Sequence, residues 1–367
     1  MPETFKVAIV GHTGRGNYGH GLDMSFVGVK GSHIVAVADP DDEGRMATVQ
    51  KTGAKSDYVD YREMLDKEKP DIAVLASREI GDHCELVISA AEAGCNIYLE
   101  KPVAASPAEV DQMLAACDKS NLLCVVAHPW RGHPPIQRVA IPMIKAGTKI
   151  GEPRLCRIYG MNGNEGGDQL FLDLYPHFFD FLWQVFGTPI WCHAHLTEGG
   201  RDALSSDLKP GVEGMGLVAG DGIKAYYQFA SGVAADFESY RGDGGEMPYR
   251  IDIHGTSGTL SIPGPMSSLP DIYYHSQVSP KLLDDNRWEV IPTEPPPDSN
   301  KWINAHHRMA RSMMDMLEGK NPEWELVQLT NARLYLEMAM MAHASHMAGS
   351  RVSLPLATSD NPFDHWT

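Results

Sequence analysis

The apolar run Lys6-Val-Ala-Ile-Val10 is followed at once by a glycine-rich run, Gly11-His-Thr-Gly-Arg-Gly-Asn-Tyr-Gly-His-Gly21. A second apolar run, Ile34 to Ala38, ends on Asp39. We interpret these segments as a buried strand, a tight turn that leads into a helix, a second strand and an acidic residue at its end. In such an arrangement a pyrophosphate binds at the helix N-terminus and the acid hydrogen bonds to the adenosine ribose. The stretch therefore predicts a dinucleotide-binding domain at the start of the chain.

The glycine fingerprint fits in two registers. The literal G-x-G-x-x-G pattern runs from Gly14 to Gly19, but it begins three residues after the position that directly follows the strand. The other register puts Gly11, Thr13 and Gly16 at the key positions, with threonine in place of the middle glycine. We prefer the second register because the turn must begin where the strand stops, and because it keeps Asp39 near the usual spacing. A glycine-rich surface loop is the alternative.

Asp39 favours NAD over NADP as the cofactor, because a carboxylate at this position would repel the 2′-phosphate of NADP. Further cofactor contacts are expected where strands end, since ligands of open α/β sheets bind at the carboxyl edge. The candidate cofactor contacts are Gly11, Thr13, Gly14, Gly16, Asp39, Ser77 and Glu100.

The stretch Asn96-Ile-Tyr-Leu-Glu-Lys-Pro102 predicts a strand that stops on a charged pair and a proline. Pro102 has no N–H for a central strand, so Glu100 and Lys101 should lie at the carboxyl end. An X-Pro bond at this position can be cis. The alternative is a surface charge pair at a strand end.

Strands and helices go on alternating up to about residue 130, which predicts a doubly wound parallel sheet. After a linking helix from Pro135 to Ala146, alternating polar and apolar residues predict an antiparallel sheet with one solvated or partner-facing side. We therefore expect a nucleotide-binding domain over residues 1–130 and a second domain over residues 131–367. The segment from Gly264 to Ser299 is expected to be mostly loop. The later helices are expected at Asp173–Phe186, Trp302–Leu317 and Thr330–Met347.

The helix predicted from Asp173 carries the second group of candidate residues. With Asp173 as the N-cap, Pro176 falls in the first turn and His177 lies four residues on, at the same end. The helix N-terminus disfavours a charged imidazole, and a neutral histidine can take a proton from an alcohol. Two other interpretations remain: a metal cluster of Asp173, His177 and Asp180, or a cap followed by a packed core histidine. We expect no metal, because a neighbouring lysine would repel the ion.

Composition excludes several classes of protein. The chain has 367 residues and a net charge of −17, which argues against nucleic-acid and anionic-membrane partners. Its six cysteines show no C-x-x-C pair, so we expect buried, reduced thiols and a cytoplasmic protein. No stretch reaches the length of a membrane span, and the N-terminus does not resemble a signal peptide.

These motifs together, with Asp173-x-x-x-His177, resemble the glucose–fructose oxidoreductase / inositol dehydrogenase (Gfo/Idh/MocA) family. The resemblance implies an N-terminal Rossmann domain, a C-terminal α+β domain on a large open antiparallel sheet, a nicotinamide cofactor and a sugar or cyclitol substrate. It implies that His177 is the general base or acid, that Lys101 hydrogen bonds to the reacting oxygen and that Asp173 orients both. Arg131 and Asn162 are further candidates for the substrate pocket.

Three functions follow from these expectations, in order of preference. The first is an NAD-dependent dehydrogenase or reductase that acts on a hydroxyl of a sugar, sugar derivative or cyclitol. The second is a redox-neutral enzyme that retains its NAD and cleaves a glycosidic bond by elimination. The third is a non-catalytic NAD-binding sensor, which would not need Lys101 and His177 together. The open sheet and the apolar C-terminal helices would need cover, so we expect a homodimer or homotetramer.

Overall fold

The computed structural model describes residues 4–162, 166–241, 246–264, 272–276, 288–293 and 301–367, with the backbone alone at 161–162, 246–248 and 301–302. The strands are β1 Phe5–Val10, β2 Ser32–Ala38, β3 Ser56–Tyr58, β4 Ile72–Leu75, β5 Asn96–Leu99, β6 Cys124–Val126, β7 Pro153–Asn162, β8 Pro189–Glu198, β9 Arg201–Asp202, β10 Lys209–Pro210, β11 Leu217–Val218, β12 Gly222–Phe229, β13 Ala234–Tyr240, β14 Glu246–Gly255, β15 Gly258–Pro263, β16 Ile272–Ser276, β17 Glu289–Ile291 and β18 Val327–Gln328. The α-helices are α1 Asp42–Thr52, α2 Tyr61–Glu68, α3 His83–Glu92, α4 Pro107–Lys119, α5 Ile141–Ala146, α6 Asp168–Phe186, α7 Lys301–Leu317 and α8 Leu329–Ala348.

The chain forms two compact units. The first comprises Met1–Gly132, Val212–Gly216 and Asp298–Leu336, and the second comprises His133–Gly211, Leu217–Pro297 and Glu337–Thr367. The first boundary lies close to the expected residue 130, but neither unit is continuous in sequence. Helix α7 explains the difference, because its buried methionines Met309, Met313 and Met314 belong to the core of the first unit.

The first unit is built on a seven-stranded sheet with the order β18-β6-β5-β4-β1-β2-β3. Strands β1 to β6 are parallel and only β18 runs against its neighbour. Strands β2 and β3 lie on one side of β1, and β4, β5 and β6 lie on the other, so the strand order reverses between β1 and β4. This is the doubly wound sheet that alternation of strands and helices predicts.

The expected helix after the glycine-rich run is wrong. Gly19–Met24 forms a six-residue 3-10 segment, in which His20 (φ 45°) and Gly21 (φ 77°) are not helical. Glycine is a poor helix former, and the glycines at 14, 16, 19 and 21 favour turns over a helix. The glycine-rich run therefore does not lead into an α-helix whose N-terminus could bind a pyrophosphate.

The second unit is built on a nine-stranded sheet with the order β17-β16-β15-β14-β7-β13-β12-β8-β9. All pairs are antiparallel except β13 with β7. Helix α6 packs on one face of this sheet through aromatic rings. The ring centroids of Phe171 and Phe237 are 4.8 Å apart, and those of Phe179 and Tyr227 are 5.1 Å apart. Strands β12 and β13 alternate buried and partly exposed residues, as expected for a sheet with one covered face.

Several local expectations are close to the observed bounds. The linking helix is a π-helical turn, Pro135–Ala140, continued by α5. The segment expected to be mostly loop, from Gly264 to Ser299, contains the short strands β16 and β17, and most of its remaining residues lie outside the described part of the chain. Within the described residues, no helix is long and apolar enough to cross a membrane.

Candidate active site

A cleft of about 220 Å³ opens in the first unit at the carboxyl ends of β1, β2 and β4. It lies where the strand order reverses, which is the place where open α/β sheets bind dinucleotides. Gly11 and His12 of the glycine-rich turn and Ser77 beyond β4 line one part, and the apolar Val59 and Leu86 line another. Backbone N–H groups of such turns bind phosphate, and an apolar wall accepts an adenine ring. The residues of the cleft therefore fit a dinucleotide.

Asp39 lies at the predicted place, directly after β2, and its side chain hydrogen bonds within the protein. Its side chain is fully buried and accepts hydrogen bonds from the N–H of Thr13 (3.1 Å), the hydroxyl of Thr13 (2.7 Å) and the N–H of Asp41 (2.9 Å). The contact of Asp39 with the adenosine ribose stays a prediction. Within the protein, the carboxylate ties the glycine-rich turn to the end of β2, because Thr13 supplies two donors that point at it.

The remaining turn glycines differ in their surroundings. Gly14 and Gly16 both have positive φ, 83° and 76°. A Cβ on Gly16 would lie 2.5 Å from the backbone nitrogen of Glu79, whereas a Cβ on Gly14 would meet nothing within 4 Å. The turn therefore packs against the segment that follows β4. Ser77 belongs to that segment and forms an isolated bridge with Tyr18.

Glu100 and Lys101 follow β5 directly and are buried, at 1% and 4% exposure. The peptide bond between Lys101 and Pro102 is cis. Glu100 accepts a hydrogen bond from Nδ1 of His20 at 2.5 Å, a partner that the sequence pattern did not indicate. The position of Lys101 at the carboxyl edge of the sheet is as the strand-proline pattern predicts.

Asp173 and His177 lie inside α6, so the expected helix start is wrong. The helix begins at Asp168 and contains Pro176. Asp173 is therefore not an N-cap, and the proposed effect of the helix N-terminus on His177 does not apply, since it fades within the first turn. The spacing of four residues still places both side chains on one face. His177 is 2% exposed and Asp173 is partly exposed.

The start of α6 is fixed by Asp168, which sequence reasoning did not single out. One carboxylate oxygen accepts from the N–H of Ala219 at 3.0 Å, and the other lies 2.7 Å from Nε2 of His343. Asp168 and His343 are both fully buried. Apolar residues at Leu170, Phe171 and Leu174 already show helical spacing upstream of Pro176, and this signal would have indicated the earlier start.

Tyr249 and Asp180 are two further side chains of the second unit. Sequence reasoning did not single out Tyr249, and it named Asp180 only as a member of an alternative metal cluster. Burial, and then the Asp173 carboxylate, raise the pKa of Tyr249 on β14, so this phenol lies near Asp173. Asp180 is 1% exposed, one turn beyond His177. Among the described residues, no group of three or more histidines, cysteines or acids is arranged to hold a metal ion.

The two substrate candidates are less clearly placed. Arg131 lies in a 3-10 turn, Pro129–Gly132, with only 3% of its side chain exposed, and it donates to Glu325 at 3.0 Å. Asn162 is the last residue of β7, and its side chain lies outside the described part. Their roles in a substrate pocket remain predictions.

A cleft that fits a dinucleotide at the switch point and a buried lysine at the end of β5 are features of NAD-binding oxidoreductases. The sequence model of the Gfo/Idh/MocA oxidoreductases, described as an NAD-binding Rossmann fold, matches residues 5–128. The model of the Gfo/Idh/MocA C-terminal domain matches residues 146–261. The chain therefore belongs to the Gfo/Idh/MocA family.

The proteins similar to this chain include both dehydrogenases and a hydratase. The scyllo-inositol 2-dehydrogenase (NAD(+)) of Bacillus subtilis (strain 168) is 26% identical over 271 residues, which cover 71% of this chain and 75% of that protein. The 2,7-anhydro-N-acetylneuraminate hydratase of Mediterraneibacter gnavus is 31% identical over 126 residues, covering 34% and 32% of the two chains. A solved levoglucosan dehydrogenase in complex with NADH and levoglucosan aligns with a TM-score of 0.74 at 18% identity, covering 96% of this chain and 100% of the other. At that identity the likeness shows the fold alone.

Proposed function

We propose that the protein is an NAD-dependent oxidoreductase that transfers a hydride between nicotinamide and a hydroxyl-bearing carbon of a sugar, sugar derivative or cyclitol. The observation that carries the proposal is Lys101, a buried lysine at the carboxyl end of β5, on the sheet edge where the dinucleotide cleft opens. The dehydrogenase names of the similar proteins support the substrate class.

The proposed roles of the side chains follow from their chemistry. His177 would take the proton of the reacting hydroxyl, since a neutral imidazole is a base near pH 7. Lys101 would donate a hydrogen bond to the same oxygen and favour its alkoxide-like state. Asp173, on the same helical face as His177, would orient the imidazole. Bound NAD would accept the hydride, and the protein would supply position and electrostatics.

The second candidate is a redox-neutral enzyme that keeps its NAD bound and oxidises the sugar only transiently. The observation that favours it is the hydratase among the similar proteins, whose name denotes no net oxidation. The two candidates share the cleft and Lys101. They differ in whether reduced cofactor accumulates in solution.

The test is an absorbance assay at the NADH band with NAD and a panel of sugars, sugar acids and cyclitols. We expect the wild type to form NADH with at least one of them and Lys101→Ala to lose about 100-fold or more in kcat/KM, because one well-placed donor to a developing oxyanion has that effect. Lys119→Ala, at an exposed position of α4, is the control and should retain wild-type rates. Equal activity of Lys101→Ala and wild type would contradict the role of Lys101.

We also propose that the protein forms a homodimer or homotetramer and works in the cytoplasm. The rings of Trp191 on β8 and Tyr226 on β12 stack with their centroids 5.2 Å apart, and Ile190, the neighbour of Trp191 in the chain, is 48% exposed. Exposed apolar groups of this kind mark contact surfaces. All six cysteines are free thiols, as expected in a reducing compartment. Light scattering that shows a monomer at micromolar concentration would contradict the assembly.

A further inference from the structure

Glu100 is a buried carboxylate whose direct partner is a histidine of the glycine-rich run. Its side chain is 1% exposed, and Nδ1 of His20 donates to its Oε1 at 2.5 Å. Gly19 approaches so closely that a Cβ there would lie 2.6 Å from Cδ of Glu100. An unpaired carboxylate in such a place is strongly disfavoured, so the donor decides whether Glu100 stays ionised.

The backbone around His20 is shaped to present this donor. His20 has φ 45° and ψ 24°, and Gly21 follows with φ 77°. The N–H of Gly19 donates to the carbonyl of Ala76, just beyond β4, at 2.7 Å. Left-handed conformations are unfavourable for residues other than glycine and persist where the surroundings hold them. The break in the 3-10 segment at His20 therefore places its imidazole over the end of the neighbouring strand.

The titratable groups that face Glu100 or its partners are His20, Tyr98, Lys101, His306 and His307. Burial alone would raise the pKa of Glu100, but the charge and hydrogen bond of His20, and then the charges of Lys101 and His306, hold it below its ordinary value. Burial lowers the pKa of His306 to about 4, so this imidazole is neutral at pH 7. His20 is thus the partner that acts most strongly on the Glu100 carboxylate.

We propose that His20 is a positioning residue for hydride transfer: its imidazole holds Glu100 at the carboxyl edge of β5, and with it the backbone that carries Lys101 and the wall for the nicotinamide half of the cofactor. The inference rests on the proposed function. A dinucleotide that lies across the switch point has its two halves on opposite sides of β1. Strand β5 is on the side away from β2 and Asp39, so His20 acts on the nicotinamide half.

The test uses variants that separate the donor from the fold. His20→Ala removes the donor, whereas His20→Asn keeps an amide N–H near the position of Nδ1 and tolerates a left-handed backbone. His20→Gln sets its amide one bond further out and serves if His20→Ala does not fold. His365→Ala is the control, because 61% of that side chain is exposed and its imidazole lies 3.2 Å from the carboxylate of Asp360, in the C-terminal segment of the second unit.

We expect His20→Ala to lower kcat by about tenfold or more, since small misplacements at the reacting centre have effects of that size. Without His20, burial raises the pKa of Glu100, so the ionised form and the activity are lost at a higher pH as the solution is acidified. The acid limb of the pH–rate profile should therefore move to higher pH. His20→Asn and His365→Ala should keep most of kcat and the wild-type profile.

Cofactor binding gives a readout that needs no sugar turnover. His20→Ala should weaken NADH binding several-fold and leave unchanged the binding of ADP-ribose, which lacks nicotinamide. If the wild type oxidises no sugar but this contrast holds, the proposed function fails, and what stands is that His20 positions the binding wall for the nicotinamide half of the cofactor. A pH–rate profile of unchanged shape in His20→Ala, or an equal loss of NADH and ADP-ribose binding, would overturn the inference.

Discussion

Thr13 is the residue that changes the meaning of the glycine fingerprint. In the sequence, Thr13 replaces the middle glycine of the G-x-G-x-x-G fingerprint, and Asp39 is the acid at the usual spacing after it. In the structure the two belong together, because the hydroxyl and the N–H of Thr13 both donate to the Asp39 carboxylate. Gly44 of α1 completes the contact, since a Cβ there would overlap Thr13. Spacing predicts where these residues lie, but a hydrogen bond between two loops cannot be inferred from it.

We therefore predict that Asp39→Asn lowers the free energy of unfolding. An amide nitrogen in place of one carboxylate oxygen cannot accept from Thr13 or Asp41, and a buried donor left without its acceptor costs about 1–3 kcal/mol. Urea unfolding measures the change. Asp42→Asn is the control, because the Asp42 side chain is 84% exposed and its stability should be almost that of the wild type. Equal stability of Asp39→Asn and wild type would show that the contact does not hold the turn.

The glycine-rich run is an element whose position, but not conformation, is predictable. The strand pattern correctly fixes where the turn begins, and the turn borders the dinucleotide cleft. The helix expected to follow is replaced by a broken 3-10 segment, because contacts of Gly16 and Gly19 with the ends of β4 and β5 override a regular helix. Those contacts are distant in sequence and leave no local pattern.

A matched pair of glycine variants tests this packing. Gly14→Ala and Gly16→Ala both place a side chain at positive φ, which costs about 1–2 kcal/mol. Only Gly16→Ala also brings a Cβ to 2.5 Å from the nitrogen of Glu79. We expect Gly16→Ala to lose clearly more thermal stability and NADH affinity than Gly14→Ala. Similar losses in the two variants would mean that the turn is not packed against the segment after β4.

Helix α6 shows how a plausible capping signal can mislead. Pro176 and Asp173 match the start of a helix, and proline is rare in helix interiors. The helix instead begins five residues earlier, at Asp168, where the buried pair with His343 and the contact with Ala219 hold the first turn. Because His343 is far away in sequence, its contact with Asp168 could not be predicted. The apolar spacing that begins at Leu170, in contrast, could have indicated the earlier start of the helix.

The buried pair at the start of α6 should dominate the stability of the second unit. Asp168→Ala leaves His343 and the N–H of Ala219 without their acceptor, and breaking a buried pair costs about 3–5 kcal/mol. Denaturant unfolding measures the loss. Asp202→Ala is the matched control, since its pair with His195 at 2.8 Å is exposed and contributes little. A small effect of Asp168→Ala would show that other contacts hold the helix start.

For the whole molecule, the class of fold could be predicted from the sequence, but the chain segments that make up each unit could not. Alternating strands and helices predict the parallel sheet, and polar–apolar alternation predicts the antiparallel one. Helix α7 and strand β18 belong to the first unit because the methionines of α7 pack in its core and β18 pairs with β6. A periodic pattern shows that a helix has an apolar face, but not which sheet covers it.

The central claim is that a hydride moves from a sugar or cyclitol carbon to NAD. The most direct measurement incubates the protein with NAD and a substrate of the panel deuterated at its ring carbons, and analyses the cofactor by mass spectrometry and NMR. The account predicts NADH that carries deuterium at C4 of the nicotinamide, formed about 100-fold or more slowly with Lys101→Ala. Product formation without labelled NADH in solution, or NADH without deuterium, would contradict it.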